Sequence, residues 1–236
     1  MSGRKPELHR IEVRRTARFW SLEPTEGAPK GTLYVLHGYG QLAEFFIRKF
    51  KPVADSGWRV VAPEGGHRFY LEGFSGRVGA SWMTKEDRLT DIADYVCYLD
   101  RLRSERRSTD PEPHVLLGFS QGVATAFRWL IMGIGGAESW KGVVAHSGVI
   151  PPDLPEVGCG LSKAMTLHLI AGRNDAFIDN LEHRFDSAEQ EWIRLGGKPG
   201  DCRRHTFDGG HRVDIPTLLG VLKEMHRPED SINLAP

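Results

Sequence analysis

Strand-like apolar runs alternate along the chain with segments whose apolar residues recur every three or four positions. The runs predict strands buried on both faces of a sheet. They are TLYVLHG (32–38), WRVVAPEG (58–65), HVLLGF (114–119), WKGVVAHSG (140–148), AMTLHLIAG (164–172) and the less apolar CRRHTFDGG (202–210). The segments between them predict amphipathic helices, as in the apolar stripe from Leu89 to Leu102. This alternation predicts an α/β fold, with a mostly parallel, twisted sheet covered by helices on both faces.

Two segments depart from the alternation. The opening stretch ELHRIEVRRTARFWSLEP (7–24) has no helical stripe, so we expect it to contribute antiparallel edge strands. The stretch GGHRFYLEGFSGRVGASW (65–82) is rich in glycine and aromatic residues and has no clear period, which predicts a long functional loop. Only residues 149–163 separate two of the predicted strands, a connection too short for a large helical cap. We therefore expect an open site.

Composition narrows the possible functions. A chain of 236 residues is most simply one domain, covering 1–236. Its 31 basic and 31 acidic residues balance, which argues against a dedicated nucleic-acid or anionic-membrane binder. The three cysteines show neither a disulfide framework nor metal-site spacing. The N-terminus lacks the apolar core of a signal peptide, and no apolar run approaches membrane-spanning length. We expect a cytoplasmic protein without stable membrane insertion or a nucleic-acid partner, and the oligomeric state stays open.

The motif GFSQG (118–122) stands between a strand-like run and a helix-like segment. Gly-x-Ser-x-Gly in this position is the pattern of a nucleophile elbow, in which a serine occupies a sharp, strained turn from strand to helix. The flanking glycines remove collisions, and the helix directs its first amides toward the hydroxyl. Ser120 is therefore the predicted nucleophile. Ser75, in the similar GFSG (73–76), follows no apolar strand and has Arg77 in place of the second glycine, so we predict an ordinary loop residue.

A serine nucleophile needs a base, and the base needs an orienting acid. In hydrolases with this elbow the order along the chain is serine, acid, histidine. Asp175 follows a predicted strand, and His211 lies on the glycine-rich loop after the last strand. Both fall at the carboxyl edge of a parallel sheet, where such sheets carry ligands. Asp175 and His211 are the predicted acid and base.

Other residues compete for both roles. Asp179 and Asp208 are alternatives for the acid, and His146 and His205 are alternatives for the base. His205 lies inside the last predicted strand, where a packed or surface role is more common. His146 ends a strand, and we predict that it lines the rim of a substrate pocket.

A metal site is a further alternative for this part of the chain. His205, Asp208, His211 and Asp214 recur every three residues, and such mixed ligands could bind zinc. A run that crosses a strand end and a Gly-Gly loop does not present one face at every third residue. We therefore prefer a catalytic histidine and predict no metal.

The motif LHGYG (36–40) predicts the remaining part of the site, a donor for the oxyanion that forms during acyl transfer. In enzymes with this elbow, one oxyanion donor is the amide after the nucleophile, and the other comes from an earlier strand-to-helix loop. The corresponding amides here belong to Gln121 and Tyr39. We predict that His37 orients this loop and does not transfer protons.

Together these motifs, in this order, resemble those of serine α/β-hydrolases. GFSQG and the late GGH (209–211) are most similar to the phospholipase/carboxylesterase branch, which includes acyl-protein thioesterases and small bacterial carboxylesterases. The resemblance covers residues 32 to about 225 and implies a sheet of about eight strands, a Ser-His-Asp triad and no cofactor. RVGASW (77–82) also matches an Arg…Trp stretch beside the acyl pocket of that branch. Val123 and Gln41 depart from the residues common there, which weakens any inference to protein-thioester substrates.

The expected function is hydrolysis of small to medium acyl esters through an acyl-enzyme, with a small-molecule ester or thioester as substrate. Tyr70, Phe74 and Trp82 are the predicted pocket wall, together with His146 at its rim. Several alternatives stay open: a thioesterase or lysophospholipase, a dienelactone- or peptide-type hydrolase on the same fold, and a non-catalytic binding member.

Overall fold

A seven-stranded, mostly parallel sheet forms the centre of the molecule. The computed structural model describes residues 6–155, 161 and 165–226. The strands in these residues are β1 (Phe19–Leu22), β2 (Thr32–Leu36), β3 (Arg59–Pro63), β4 (His67–Tyr70), β5 (Val78–Ser81), β6 (His114–Phe119), β7 (Gly142–His146), β8 (Thr166–Gly172) and β9 (Cys202–Phe207). All but β4 and β5 join the central sheet, in the order β1-β3-β2-β6-β7-β8-β9. Only β1 runs antiparallel to its neighbour, so the carboxyl ends of the six parallel strands share one edge.

Helices cover both faces of this sheet. They are α1 (Ala43–Ile47), α2 (Lys51–Asp55), α3 (Arg88–Arg106), α4 (Gln121–Met132), α5 (Leu181–Arg194) and α6 (Ile215–Met225). Helices α3, α4 and α5 pack on one face, and α1, α2 and α6 pack on the other. Along β2, Leu33 and Val35 belong to one apolar cluster while Tyr34 and Leu36 belong to the opposite one. Because both faces are covered, the five inner strands β2, β3, β6, β7 and β8 are buried along almost their whole length, as the sequence predicted. The edge strand β9 is more polar and partly exposed.

The stretch 65–82 is a β-hairpin, which corrects the prediction of a long loop. Strands β4 and β5 pair antiparallel, with His67 opposite Ser81 and Tyr70 opposite Val78. Along β4 the residues are alternately half-buried and exposed. Aromatic residues occupy both kinds of position, at Phe69 and Tyr70, and this hid the two-residue period in the sequence.

The opening segment supplies one edge strand, β1, where the sequence favoured several. Residues 6–18 form no regular secondary structure. They attach through arginines: Arg10 to Asp87, Arg15 to the Gly66 carbonyl, and Arg18 to Glu64. The central sheet therefore has seven strands among the described residues, one fewer than the resemblance implied.

No helix in the described ranges is long and apolar enough to span a bilayer. Cys97 and Cys202 are free thiols. Cys159 lies outside the described residues.

Candidate active site

The turn from β6 into α4 has the geometry of a nucleophile elbow. Ser120 holds φ of 54° and ψ of −118°, a conformation that is strained for any residue with a side chain. A Cβ added at Gly118 would overlap the backbone of Gly122, and one added at Gly122 would overlap the carbonyl of Leu36. Both glycines are therefore required by close backbone approach, as the motif predicted.

Ser120 also lies where the surrounding backbone can hold it. Its N–H donates to the carbonyl of His146 across the sheet edge, at 3.0 Å. Gln121 is the first residue of α4, and the opening amides of a helix have no acceptor within it. The positive end of the helix dipole is therefore directed at the serine.

Asp175 and His211 form a buried acid–imidazole pair at the same edge of the sheet. His211 Nδ1 lies 2.8 Å and 3.0 Å from the two carboxylate oxygens of Asp175. The Asp175 side chain has no exposed surface, whereas His211 retains 21%. The Phe177 N–H donates to Asp175 Oδ1 at 3.0 Å, which fixes the carboxylate further. Because the Asp175 carboxylate accepts a hydrogen bond from Nδ1, the imidazole proton lies on Nδ1, and Nε2 is free to act as a base.

The competing acids have other surroundings. Asp179 and Asp208 are both exposed, and Asp208 pairs with Asn174 at 3.4 Å. Of the three candidate carboxylates, Asp175 is the one in contact with His211.

The imidazole of His211 lies beside the elbow. Its ring centroid is 4.9 Å from that of Phe119, the residue before Ser120, and 4.6 Å from that of Phe177. No hydrogen bond joins the Ser120 hydroxyl to His211 in the part of the chain that the structure describes. Catalytic hydrogen bonds are often long before substrate binds, and they tighten in the complex.

The loop after β2 runs along the other side of the serine. A Cβ at Gly38 would lie 3.1 Å from the Ser120 Cβ. The Gly38 N–H donates to Gln41 Oε1, and the Gly40 N–H donates to the Ala80 carbonyl, both at 2.9 Å. The Tyr39 amide between them has no hydrogen-bond partner among the described residues. With the Gln121 amide, it is available to an anionic oxygen.

His37 is buried and supports this loop. Its Nε2 accepts from the Gly65 N–H at 3.0 Å, so Nδ1 carries the proton and donates to the Gly38 carbonyl at 2.8 Å. Burial lowers the pKa of His37 to about 4, so the ring is neutral at physiological pH. The ring stacks on Trp82 at 5.0 Å. These contacts agree with the orienting role predicted for His37.

Two of the four predicted substrate-binding residues are interior residues, which corrects their assignment. Trp82 is 1% exposed and donates its indole N–H to the His37 carbonyl at 2.9 Å. His146 has no exposed surface. Neither offers a face to a substrate in this conformation. Tyr70 and Phe74, on the hairpin, are 49% and 97% exposed and stay candidates for substrate contact.

Sequence reasoning missed two features of the site. The side chain of Gln121 holds the end of the hairpin, since its Nε2 donates to the Met83 carbonyl at 3.0 Å and its Oε1 accepts from the Trp82 N–H at 3.2 Å. Phe177 is 73% exposed and covers the His211 ring. An aromatic residue two positions after the predicted acid was the available signal for Phe177.

The residues of the alternative metal set have separate partners. His205 Nε2 lies 3.0 Å from His168 Nδ1, in a stacked pair of rings. His211 pairs with Asp175, and Asp214 Oδ2 accepts from the Thr217 N–H at 3.1 Å. The described residues contain no group of three or more side chains arranged to hold a metal ion.

Comparison with solved structures identifies the class of fold. Esterase PE8 is 25% identical, with a TM-score of 0.66, over 89% of this chain and 100% of its own. The acyl-protein thioesterase 2 of Zea mays is 18% identical, with a TM-score of 0.66, over 90% of this chain and 100% of its own. A carboxylesterase from Mesorhizobium loti is 16% identical, with a TM-score of 0.64, over 90% of this chain and 95% of its own. No protein-family model matches the chain, and no curated protein sequence does either.

The chain therefore has the α/β-hydrolase fold. Its resemblance to the phospholipase/carboxylesterase branch, inferred from the sequence motifs, is confirmed by these structural neighbours. The esterase and thioesterase neighbours support a hydrolase of this fold.

Proposed function

We propose that the protein is a serine hydrolase of small to medium acyl esters, with Ser120 as nucleophile, His211 as base and Asp175 as the orienting acid. One observation carries the proposal: the His211 imidazole is held against the buried Asp175 carboxylate beside a strained serine elbow. Strain of this kind persists where the surrounding structure enforces it, and it is concentrated at functional sites.

Acylation begins when His211 Nε2 takes the proton of the Ser120 hydroxyl. The oxygen attacks the ester carbonyl carbon, and the π electrons of the carbonyl move onto its oxygen. The amides of Tyr39 and Gln121 donate to this oxyanion. The tetrahedral intermediate then collapses, and the leaving alcohol departs with the proton from His211.

Deacylation repeats these steps with water. His211 takes a proton from a water molecule, the hydroxide oxygen attacks the acyl carbon, and the acid leaves as Ser120 regains its proton. Asp175 stays ionised throughout and stabilises the imidazolium that forms twice in each cycle. The reaction draws only on the side chains of the chain, its amides and water.

The proposed substrate class follows from the surface around the serine. Exposed aromatic side chains lie on the segments next to it: Tyr39, on the loop after β2, is 60% exposed and packs on Phe69, and Phe177 lies over His211. These rings suit an acyl chain and an apolar leaving group. Esters and thioesters share this chemistry, so both belong in the substrate series.

Ser120→Ala is the direct test. We expect turnover of p-nitrophenyl esters to fall at least about a thousandfold, because the remaining oxyanion donors act without a nucleophile. A fluorophosphonate probe should label the wild-type protein at Ser120 and leave the variant unlabelled. Mass spectrometry of the labelled peptide identifies the site.

Ser75→Ala is the matched control, because Ser75 lies in the similar GFSG sequence on the exposed connection between β4 and β5. It should keep wild-type turnover and labelling. Ester hydrolysis that survives Ser120→Ala would refute the proposal. A wild-type protein that neither labels nor hydrolyses any ester or thioester from acetyl to decanoyl would instead favour a binding role.

A further inference from the structure

His146 contacts both of the segments that carry the proposed nucleophile and base. It ends β7, directly opposite Phe119 in the parallel register with β6. Its carbonyl accepts the Ser120 N–H at 3.0 Å. Its backbone therefore holds the elbow at the point where the strained serine begins.

The ring of His146 holds the other segment. Its Nε2 accepts the N–H of Asp214 at 3.0 Å. Because Nε2 is an acceptor, the proton lies on Nδ1, which donates to Ser147 Oγ at 3.3 Å. Asp214 is three residues after His211 and caps α6. The loop that carries His211 is thus tied to the end of β7 just before it enters the helix.

The environment keeps this ring a neutral acceptor. Its neighbours are the rings of Phe119 at 5.6 Å and Phe207 at 5.7 Å. Burial is the largest cause that lowers the pKa of His146, to about 3, although Asp214 and Asp175 oppose the effect. A protonated ring could not accept from the Asp214 amide.

We propose that His146 is a positioning residue that sets the distance between Ser120 and His211, through its carbonyl on the elbow and its ring nitrogen on the Asp214 amide. The proposal rests on the proposed function, since it assigns a task only if these two residues react together. It replaces the substrate-rim role that the sequence suggested for His146.

Two substitutions distinguish the hydrogen bond that His146 accepts from Asp214 from the packing contribution of its ring. His146→Leu fills the site but leaves the buried Asp214 N–H without its acceptor. In His146→Gln the side-chain carbonyl can reach the position of Nε2 and accept from the same amide. The backbone carbonyl that holds Ser120 is retained in both.

We expect His146→Leu to lower kcat for ester hydrolysis by about ten- to a hundredfold with KM within about threefold, because small displacements of reacting groups have effects of this order. The rate of fluorophosphonate labelling should fall in parallel. His146→Gln should restore both quantities to within about threefold of wild type. If His146→Leu does not fold, His146→Asn replaces it, because its shorter amide stops near Ser147 and does not reach Asp214.

His168→Leu is the matched control for loss of a buried histidine. His168 is 2% exposed on β8 and pairs with His205 and Thr166, away from the proposed triad. The His168→Leu variant should have a lower melting temperature, while its kcat stays within about twofold of wild type. The proposal would be overturned if His146→Leu and His146→Gln lost kcat equally. It would also be overturned if His146→Leu lost no more kcat than His168→Leu when the two variants have the same melting temperature. Wild-type hydrolysis in Ser120→Ala would instead refute the proposed function.

Discussion

At the scale of single residues, Phe177 contacts both Asp175 and His211, the proposed acid and base. Its backbone N–H supports Asp175, while its ring covers His211 and is still 73% exposed. An exposed aromatic ring has little to contribute to the core. Because the ring lies over His211, we infer that it is a surface on which the leaving group of an ester packs.

Phe177→Ala should therefore raise KM for p-nitrophenyl esters by about two- to tenfold, the range expected for one lost aromatic contact. The Asp175 hydrogen bond belongs to the backbone and survives, so kcat should change much less. Steady-state kinetics with aryl and ethyl esters of one acid measures the effect. Phe45→Ala, at an exposed phenylalanine on α1, is the control and should leave KM unchanged. An equal rise in KM for ethyl and aryl esters would contradict a leaving-group contact.

At the scale of elements, the β4–β5 hairpin supports the proposed oxyanion loop. Gln41 and Ala80 form an antiparallel bridge, in which the Gly40 N–H donates to Ala80 at 2.9 Å and the Ala80 N–H donates to Gln41 at 3.1 Å. The Gln121 side chain ties the end of the hairpin to the start of α4. The hairpin therefore contacts both segments that carry the proposed oxyanion donors, the loop after β2 and the start of α4.

Gly79→Ala tests the contact between the hairpin and the loop after β2, because a Cβ at Gly79 would overlap the backbone of Gly40. The loop must move, so we expect kcat to fall by about ten- to a hundredfold, comparable to weakening one oxyanion donor. Ester kinetics and a thermal melt together show whether the loss is local.

The control for Gly79→Ala is Gly220→Ala, on α6, where a Cβ meets nothing within 4 Å. Alanine there should keep activity and add up to about 1 kcal/mol of stability through helix propensity. Full activity in Gly79→Ala would show that the hairpin does not constrain the oxyanion loop.

At the scale of the whole molecule, stability depends on pH through buried histidines with lowered pKa values, of which His37, His146 and His168 show the largest effect among the described residues. Burial is the main cause that lowers the pKa of His37 to about 4 and the pKa values of His146 and His168 to about 3. In the unfolded chain each has the ordinary value near 6.5. Below that pH the unfolded chain binds more protons than the folded protein, so acid favours unfolding.

The free energy of unfolding should thus be nearly constant above pH 7 as far as these groups are concerned. Each group should reduce it by about 1.4 kcal/mol per pH unit between about pH 6 and its folded-state pKa. Urea unfolding at a series of pH values from 8 to 4.5 measures the slope. His168→Leu should remove one group's share of the slope, and an unchanged slope would contradict the assignment.

Much of the fold followed from local signals. The runs located all six parallel strands. In the five inner strands, coverage on both faces leaves no polar side to interrupt the run, whereas the edge strand β9 is less apolar and partly exposed. The hairpin escaped detection because aromatic residues occupy both of its faces. The sequence also could not place Trp82, because a large aromatic residue near a pocket motif can line the substrate pocket or pack in the protein interior.

The sequence by itself determined the strained serine turn, because the Gly-x-Ser-x-Gly spacing answers a local backbone requirement. It also narrowed the candidates for the proposed acid and base to a few residues by their order along the chain. Only the tertiary structure decided that Asp175, and not its rivals, contacts His211, and that His146 is a buried residue whose ring accepts the Asp214 N–H. These outcomes depend on strand register and on loops packed across the sheet edge. Contacts between segments distant in the chain leave no periodic trace in the sequence.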